Sequence, residues 1–533
     1  MTDNDQLRAG QKAQTNSARA RTLVAPVIVS SDSVQYSEDE IISKYSYTDT
    51  KVTIGEDGTV TAFPQNSLFE FKTRRKVSRL GLMMVGLGGN NGTTVAAAMY
   101  AKKHSLEWQT RAGTHVSNYK GSLTQCGTFR VGTSSEDGTD VYSPLSSLVP
   151  MVNPDDMPVS GWDISGRNLA DAMDSAQVLE PDLRNKLRPF VDKVVPLPAA
   201  FDIDFIADNQ LPRADNLIPG QKQEQLEQLR RDIRNFKETQ GLDEVVVIWT
   251  ANSERYSKEI EGVNDTSENL LKAIQSNHPE VSPSTLYAVA SILEGAPYVN
   301  GSPQNTLVPG CVKLAEELQV FICGDDFKSG QTKMKSVLVD YLIGCGVKVK
   351  TMVTYNHLGN NDMYQLTDQV MWKPKSAAKS KVIEDLVEAN EVLYPNDEKP
   401  DHVVVVKYVP FLGDSKRDVS EYTAETFLDS HYTMIMHNEC LDSALCAPLI
   451  IDLAVLCELF QRIRVKVEGS DEFKSMHPVL SALGFFMKIP KTPGEEPIVN
   501  ALNRQRACIE NLVKALVGLP AESHLLLPTK CQA

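Results

Sequence analysis

The sequence predicts an α/β protein in which a Rossmann-type dinucleotide-binding domain is followed by an α+β domain. Three observations predict it. An apolar run, Val77–Val85 (VSRLGLMMV), enters the glycine-rich turn Gly86-Leu-Gly-Gly-Asn-Asn-Gly92 and leaves it into a small-residue helix, Thr93–His104. Strand, glycine turn and helix in that order open a nucleotide-binding βαβ unit. Further strand candidates then alternate with helical stretches, as a parallel sheet requires. Beyond Asp326 the pattern changes to longer strands around one polar helix. At 533 residues the chain exceeds the ~250–300 residues at which one hydrophobic core stops growing, so two or three domains are expected.

The elements follow in order. Residues 1–75 carry short strand-like pieces, Thr22–Ser30 and Thr59–Phe63, with a turn signal at Gly55-Glu-Asp-Gly58, and fit either an arm or part of a sheet. After the glycine turn, Gly113–Pro158 reads as a long inserted loop. Strands are then expected at Val159–Ile164, Lys193–Pro196, Glu244–Thr250, Tyr287–Ile292 and Val320–Cys323. Helices are expected at Asn168–Leu179 and, as a charged and solvated face, at Ile218–Gly241. In the second pattern the strands are Val347–Tyr355, His402–Val409 and Tyr432–His437, and the polar helix is Lys379–Asn390. After Cys440 the chain is expected to be helical to about Val517, where Gly518 and Pro520 stop it.

Composition narrows the function. A formal net charge of -15 argues against a broad nucleic-acid or membrane-surface role, both of which need a basic face. Small anionic substrates stay open, because a few lysines in a cleft decide that contact locally. No stretch approaches the ~20 apolar residues of a membrane span. The longest apolar run, Ala447–Phe460, is broken by Asp452 and Glu458 and reads as a buried helix. The N-terminus has no secretory apolar region, and nine cysteines are scattered without a C-x-x-C pair. Reduced thiols in a soluble, cytoplasmic protein are expected.

The turn carries the cofactor signal. A backbone can close on a pyrophosphate only where no Cβ intervenes, and the amides at the helix start supply donors and positive dipole. Gly86, Gly88 and Gly89 are placed for this; the third glycine of G-x-G-x-x-G is replaced by Asn91, with Gly92 one step later. An acid closing the second strand would accept from the adenosine ribose, favouring NAD over NADP. Asp163 stands there, though far beyond the usual ~20-residue spacing. The alternative for Asp163 is a helix N-cap.

Several blocks then carry a resemblance. Besides Gly86–Gly92 they are Trp249-Thr-Ala-Asn252, Asn300-Gly-Ser-Pro-Gln-Asn-Thr306, Gly324-Asp-Asp-Phe-Lys-Ser-Gly-Gln-Thr-Lys333, Tyr355-Asn-His-Leu-Gly-Asn-Asn-Asp362 and Gly413-Asp-Ser-Lys416. In sequence and order they resemble the inositol-3-phosphate synthases, also called myo-inositol-1-phosphate synthases, of the eukaryotic type. One departure is visible: Met363 stands where glycine is expected after Asn-Asn-Asp. The resemblance implies an isomerase that uses NAD on the acyclic form of D-glucose 6-phosphate. The C5 hydroxyl is oxidised to a ketone, C6 is enolised, its enolate closes on the C1 aldehyde, and C5 is reduced again to give 1D-myo-inositol 3-phosphate, the first step of inositol biosynthesis. It also implies a homotetramer built largely through the sheet of the catalytic domain. The domains become an N-terminal arm (1–75), an NAD domain (76–325), a catalytic and oligomerisation domain (326–439) and a C-terminal part (440–533) that forms a discontinuous third unit with the arm.

Carried onto matching positions, the resemblance gives a site. The cofactor would be held by Gly86, Leu87, Gly88, Gly89, Asn90, Asn91, Gly92, Asp163, Thr250, Ala251, Asn252, Gly301, Asp326 and Asp442. Lys375 and Lys379 are one helical turn apart and so share a face if helical. Lys375 is expected at the C5 oxygen, as a base made neutral by desolvation and neighbouring cations. Lys379 is expected at the substrate phosphate or in phosphate-assisted enolisation, with Lys416 and Lys488 flanking the C1 aldehyde and substrate oxygens. Lys488 is the most telling by context, lying between Phe485-Phe-Met and Ile-Pro. Taken singly, any lysine is more simply a solvated surface residue. Asp326, Asp362 and Asp442 would hold the lysines or bind sugar hydroxyls. Ser329 and Gly330 would donate to the phosphate, and Asn360 and Asn361 would contact substrate or simply form a turn. His357 and His437 read as structural, and no metal-ligand pattern surrounds them. Two other readings fit the glycine turn alone: an ordinary NAD-dependent sugar-phosphate dehydrogenase, which would accumulate NADH, and a non-catalytic NAD-binding protein, expected to have lost some of the four lysines present here.

Overall fold

The computed structural model describes residues 20–494 and 496–523. Its centre is a six-stranded parallel sheet. In sheet order the strands are Leu197–Pro198, Val159–Asp163, Leu80–Val85, Glu244–Trp249, Tyr298–Asn300 and Ile322–Cys323. Ranked by position along the sequence, that is the 3-2-1-4-5-6 order of a dinucleotide-binding sheet. Alternation along its strands feeds two cores. Leu82, Met84, Val246 and Ile248 enter one, while Met83, Val85, Val245 and Val247 enter the other.

Helix Asn90–Lys103 covers the first face beside Asp442–Gln461, the longest helix. The latter is long and apolar enough to cross a membrane by length and composition alone, yet 83% of its apolar window is buried inside the fold. Its acids have partners: Asp452 accepts from Ser122 Oγ at 2.6 Å and from the amides of Leu123 and Thr124, and Glu458 accepts from Arg462 at 2.8 Å with neither side chain exposed. Helices Lys222–Thr239, Ser267–Gln275 and Pro283–Leu293 cover the second face.

A second, mixed sheet runs Asp401–Tyr408, Lys348–Leu358, Ser415–Glu425, His431–Leu441, the first pair parallel and the others antiparallel. A third joins the two ends of the sequence. Strand Ile463–Val467 pairs with Val60–Arg74, which pairs with Glu40–Ile54 and through it with Val34–Tyr36.

Four local expectations are corrected. Tyr287–Ile292 is not a strand but part of helix Pro283–Leu293: every residue from Pro283 to Ile292 is buried, so no polar face marks the helical period, while Ser282 caps the start and Pro283 occupies the first turn. The third strand falls at Leu197–Pro198, just past Lys193–Pro196. The stretch after Cys440 is broken by strand Ile463–Val467 and helical again only at Leu502–Ala515. The segment Gly113–Pro158 is not featureless: Thr128–Thr133 and Asp140–Pro144 pair within it.

Candidate active site

At the carboxyl ends of the parallel strands lies a cavity of about 430 Å³, walled by the glycine turn on one side and by the second sheet on the other. The turn is built by exclusion. Gly86 has φ +90°, and a Cβ on it would come within 2.7 Å of Ala251 Cα. A Cβ on Gly92 would meet the carbonyl oxygens of Gly86 and Leu87 at 2.5 Å. Gly92 thus fills the helix-packing role of the displaced third glycine, and helix Asn90–Lys103 starts with its amides toward the cavity. The side chain of Leu87 is buried in the core behind the turn.

Asp163 ends the second strand at 4% exposure. It accepts from Gly88 N and from Ser165 N, both at 2.9 Å, and Arg213 lies 3.5 Å away. The helix N-cap alternative falls, because Asn168 caps that helix. Burial pushes the Asp163 carboxyl up, against the pull of Arg213 and the two amides. Thr250 Oγ1 donates to Val85 O, Ser302 Oγ donates to Ala251 O, and a Cβ on Gly301 would strike the Phe327 ring. Asn252 donates to Gln210 at 3.1 Å and to Gln365 at 2.8 Å. These residues fit a dinucleotide: glycines where a Cβ would block it, a helix start for its pyrophosphate, and a buried acid beyond.

The lysines gather opposite. Lys488 donates to Asp326 Oδ2 at 2.8 Å, and Lys375 reaches Oδ1 of the same carboxylate at 3.4 Å and Asp362 at 3.6 Å. Lys416 donates to Asp442 at 2.8 Å. Lys379, one turn after Lys375 on helix Gln369–Lys381, is buried and makes no hydrogen bond or ion pair among the described residues. The four amines therefore differ. Burial opposes the charge on Lys375, but the carboxylates of Asp326, Asp362 and Asp442 outweigh it and hold this ammonium above the usual lysine range. Asp442 does the same for Lys416. Burial pulls Lys488 down despite Asp326. Lys379 falls furthest, through burial and then the charges of Lys416, Lys488, Lys335 and Lys375. The expected neutralisation of Lys375 is thus corrected. Three carboxylates face it, and the amines pulled down are Lys379 and Lys488.

Ser329 stands on the cavity wall at the start of helix Gly330–Gly344, whereas Gly330, with φ +53°, lies outside the wall. Asn360 caps the short helix Asn361–Gln365 through Met363 N, and Asn361 donates to Gln210. Met363 packs with Ala207, Leu358, Leu366 and Met371 and has no left-handed φ, so the departure costs this loop no strain. His357 and His437 lie outside the cavity wall.

Two wall or near-wall residues went unread in the sequence. Asp414, inside the Gly413–Lys416 block, is 2% exposed. It accepts from Asn90 Nδ2 at 3.1 Å and from both Ser443 N and Ser443 Oγ at 2.9 Å, pinning turn, second sheet and long helix together. Asn356 faces the cavity with neither side-chain polar atom partnered among the described residues. Its place in the Tyr355–Asp362 block was the available signal.

Comparison with known proteins agrees with this geometry. Residues 80–514 match the myo-inositol-1-phosphate synthase family. The chain is 52% identical over 505 residues to inositol-3-phosphate synthase 1 of Bos taurus, covering 95% of this chain and 90% of that one. It is 50% identical to inositol-3-phosphate synthase 1 of Oryza sativa subsp. japonica, over 94% of this chain and 99% of that one. The crystal structure of inositol-3-phosphate synthase from Caenorhabditis elegans superposes with a TM-score of 0.93 at 45% identity, covering 95% of this chain and 99% of the other.

Proposed function

The chain belongs to the myo-inositol-1-phosphate synthase family, and from that premise we propose how its own residues carry the reaction. It is an isomerase that converts D-glucose 6-phosphate into 1D-myo-inositol 3-phosphate with NAD as cofactor. Bound NAD supplies a reversible hydride acceptor for C5, so no net oxidation accumulates.

The observation that carries the residue assignment is the bridge Lys375–Asp326–Lys488, at 3.4 and 2.8 Å. One carboxylate holds a lysine kept charged and a lysine pulled toward neutrality. Lys375 faces the C5 oxygen as a fixed cation that steadies the charge developing there. Lys488 takes up the proton released when C5 is oxidised and returns it when C5 is reduced, and Asp326 keeps the two amines in register. Lys416, anchored on Asp442, steadies the oxygen that becomes charged as C6 closes on C1. Lys379, at the cavity wall, receives the phosphate with Ser329, and the phosphate charge offsets the burial and neighbouring cations that pull this amine down. Asp362, Asn360 and Asn361 line the sugar. The glycine turn, Asp163 and Thr250–Asn252 hold the cofactor.

The reading extends to assembly and location. Tyr355, Val403 and Ile435 lie exposed on the outward face of the second sheet, which supports association of copies through that sheet into a homotetramer. Every cysteine among the described residues is unpaired, which suits the reducing cytoplasm.

Incubation of the protein with glucose 6-phosphate and NAD, followed by phosphorus NMR and absorbance together, tests the function. Inositol monophosphate should form with no net NADH. Stoichiometric NADH with an oxidised sugar phosphate would make the protein a dehydrogenase.

A further inference from the structure

The inner face of the second sheet, where it packs against helices, carries a polar row beside its buried apolar residues Met352 and Tyr422. His402 stands on strand Asp401–Tyr408, Thr354 and Asn356 on Lys348–Leu358, and Asp418 and Ser420 on Ser415–Glu425. Register places Thr354 opposite Ser420 and Asn356 opposite Asp418. Lys335, from helix Gly330–Gly344, lies over this row at 2% exposure, with Nζ 2.8 Å from His402 Nε2. Burial, and then Lys335 itself, pulls His402 down to about 3, so its ring is neutral and accepts from the ammonium. Asp418 is 1% exposed. Its Oδ1 accepts from Ser420 Oγ at 2.6 Å, while Oδ2 has no hydrogen-bond partner among the described residues.

A cluster that only joined helix to sheet would satisfy its own polar atoms, because each buried unpartnered group costs about 1–3 kcal/mol. This one leaves a carboxylate oxygen open. Lys335, His402 and Asp418 all stand outside the cavity wall, whereas Lys379 is part of it. The charged groups facing Lys379 come from every element around it: Lys375 on its own helix, Lys335 on helix Gly330–Gly344, Lys416 and Asp418 on strand Ser415–Glu425, and Lys488 on the segment after Phe486. Asp418 is the acid of this group, and Lys335 the cation that stands outside the wall.

We propose that Lys335, seated on His402, and Asp418 form a positioning pair behind Lys379, a cation and a carboxylate whose balance governs how that amine engages the substrate phosphate. The proposal rests on the reading of Lys379 as the phosphate-binding group. Lys335 drives a proton off Lys379 by like-charge repulsion in a poorly screened interior, and Asp418 draws one on. Deleting each should therefore act on Lys379 in opposite senses, which a purely structural contact cannot do.

The test is the affinity of the NAD-loaded protein for inorganic phosphate as a function of pH, measured by calorimetry. The pH above which affinity falls should move up by ~0.5–1 unit in Lys335→Met and down by a similar amount in Asp418→Asn, the scale of one nearby charge. His402→Gln, whose amide oxygen still accepts from Lys335, should keep the native profile, and His402→Leu should not. In turnover, Lys335→Met should change KM for glucose 6-phosphate more than kcat. Shifts in the same direction, or none in a folded protein, would overturn the proposal. Lys379→Arg separates it from its premise, since a guanidinium does not titrate in this range. If the alkaline fall persists in that variant, Lys379 is not the phosphate group and the parent reading fails.

Discussion

Lys488 donates to Asp326 at 2.8 Å, and the two side chains are only 8% and 3% exposed. A pair this buried is costly to break from one side, because the survivor keeps its charge without a partner. Asp326→Asn should therefore lose about 3–5 kcal/mol of stability and ~10²–10⁴ in turnover, read by melting and by single-turnover assay. The acid limb carries a further signature. Burial opposes the charge on Asp326, but Lys375 and Lys488 outweigh it and hold its carboxyl below the ordinary value. Its stabilisation is thus fully present above the unfolded value of ~3.9 and lost as pH falls through the lower folded value. Acid unfolding of Asp326→Asn should be shallower than that of the native protein. An unchanged acid limb would show that the carboxylate is not held by the lysines.

Arginine substitutions separate the two lysines on that carboxylate. In the proposed mechanism Lys375 acts as a fixed cation, so Lys375→Arg should keep a measurable fraction of activity that Lys375→Ala loses by ~10²–10⁴. In the same mechanism Lys488 is the base, so Lys488→Arg should be as damaging as Lys488→Ala. Steady-state rates on all four variants decide it. The reverse order of tolerance would exchange the two roles.

Lys379 trades stability for binding. Its amine is held well below the usual lysine range, so below that folded value the native state carries a charge it would rather shed. The cost is relieved as pH rises toward the unfolded value of ~10.4. Lys379→Met should raise the thermal stability of the ligand-free protein, because a hydrophobe of similar volume carries none of that burial cost. It should also raise KM for glucose 6-phosphate by well over tenfold. A melting point that drops instead would mean that the amine is stabilised in the ligand-free protein.

Asp163 and Arg213 stand 3.5 Å apart at the place proposed for the adenosine ribose of the cofactor. The native protein should prefer NAD, since Asp163 would repel a 2′-phosphate. Asp163→Ser should weaken NAD by ~1.5–3 kcal/mol, one hydrogen bond to a charged group. It also releases Arg213, so the NADP to NAD affinity ratio should rise. Fluorescence titration of both nucleotides checks this; an unchanged ratio would leave Asp163 only its bond to Gly88.

Much of this was legible in the residues because local chemistry wrote it there. The Gly86–Gly92 turn, the apolar strands Leu80–Val85 and Glu244–Trp249 and the spacing of Lys375 and Lys379 each announce themselves over a few residues. What stayed hidden depends on partners far away in sequence. Helix Pro283–Leu293 shows no period because both its sides are buried. Asp414 reads as an ordinary turn acid until Asn90 and Ser443 are brought to it. The charge of Lys375 is invisible for the same reason: the nearest charges in sequence are Lys373 and Lys379, while in space it faces Asp326, Asp362 and Asp442.

Strand Ile463–Val467 lies beside Val60–Arg74, with Ile463 opposite Thr73. On a ribosome, the hairpin Glu40–Arg74 leaves the exit tunnel first and waits for the synthesis of everything up to Ile463 before its open edge is covered. Until then it presents unpaired backbone groups, together with the apolar side chains of Phe69 and Phe71 that the finished protein packs against its core. That interval invites edge-to-edge association between nascent chains. Premature termination anywhere in the intervening sequence would release a product that can never close this sheet. Production in a cell should therefore respond to holdase chaperones and to translation speed, even where the completed protein is robust.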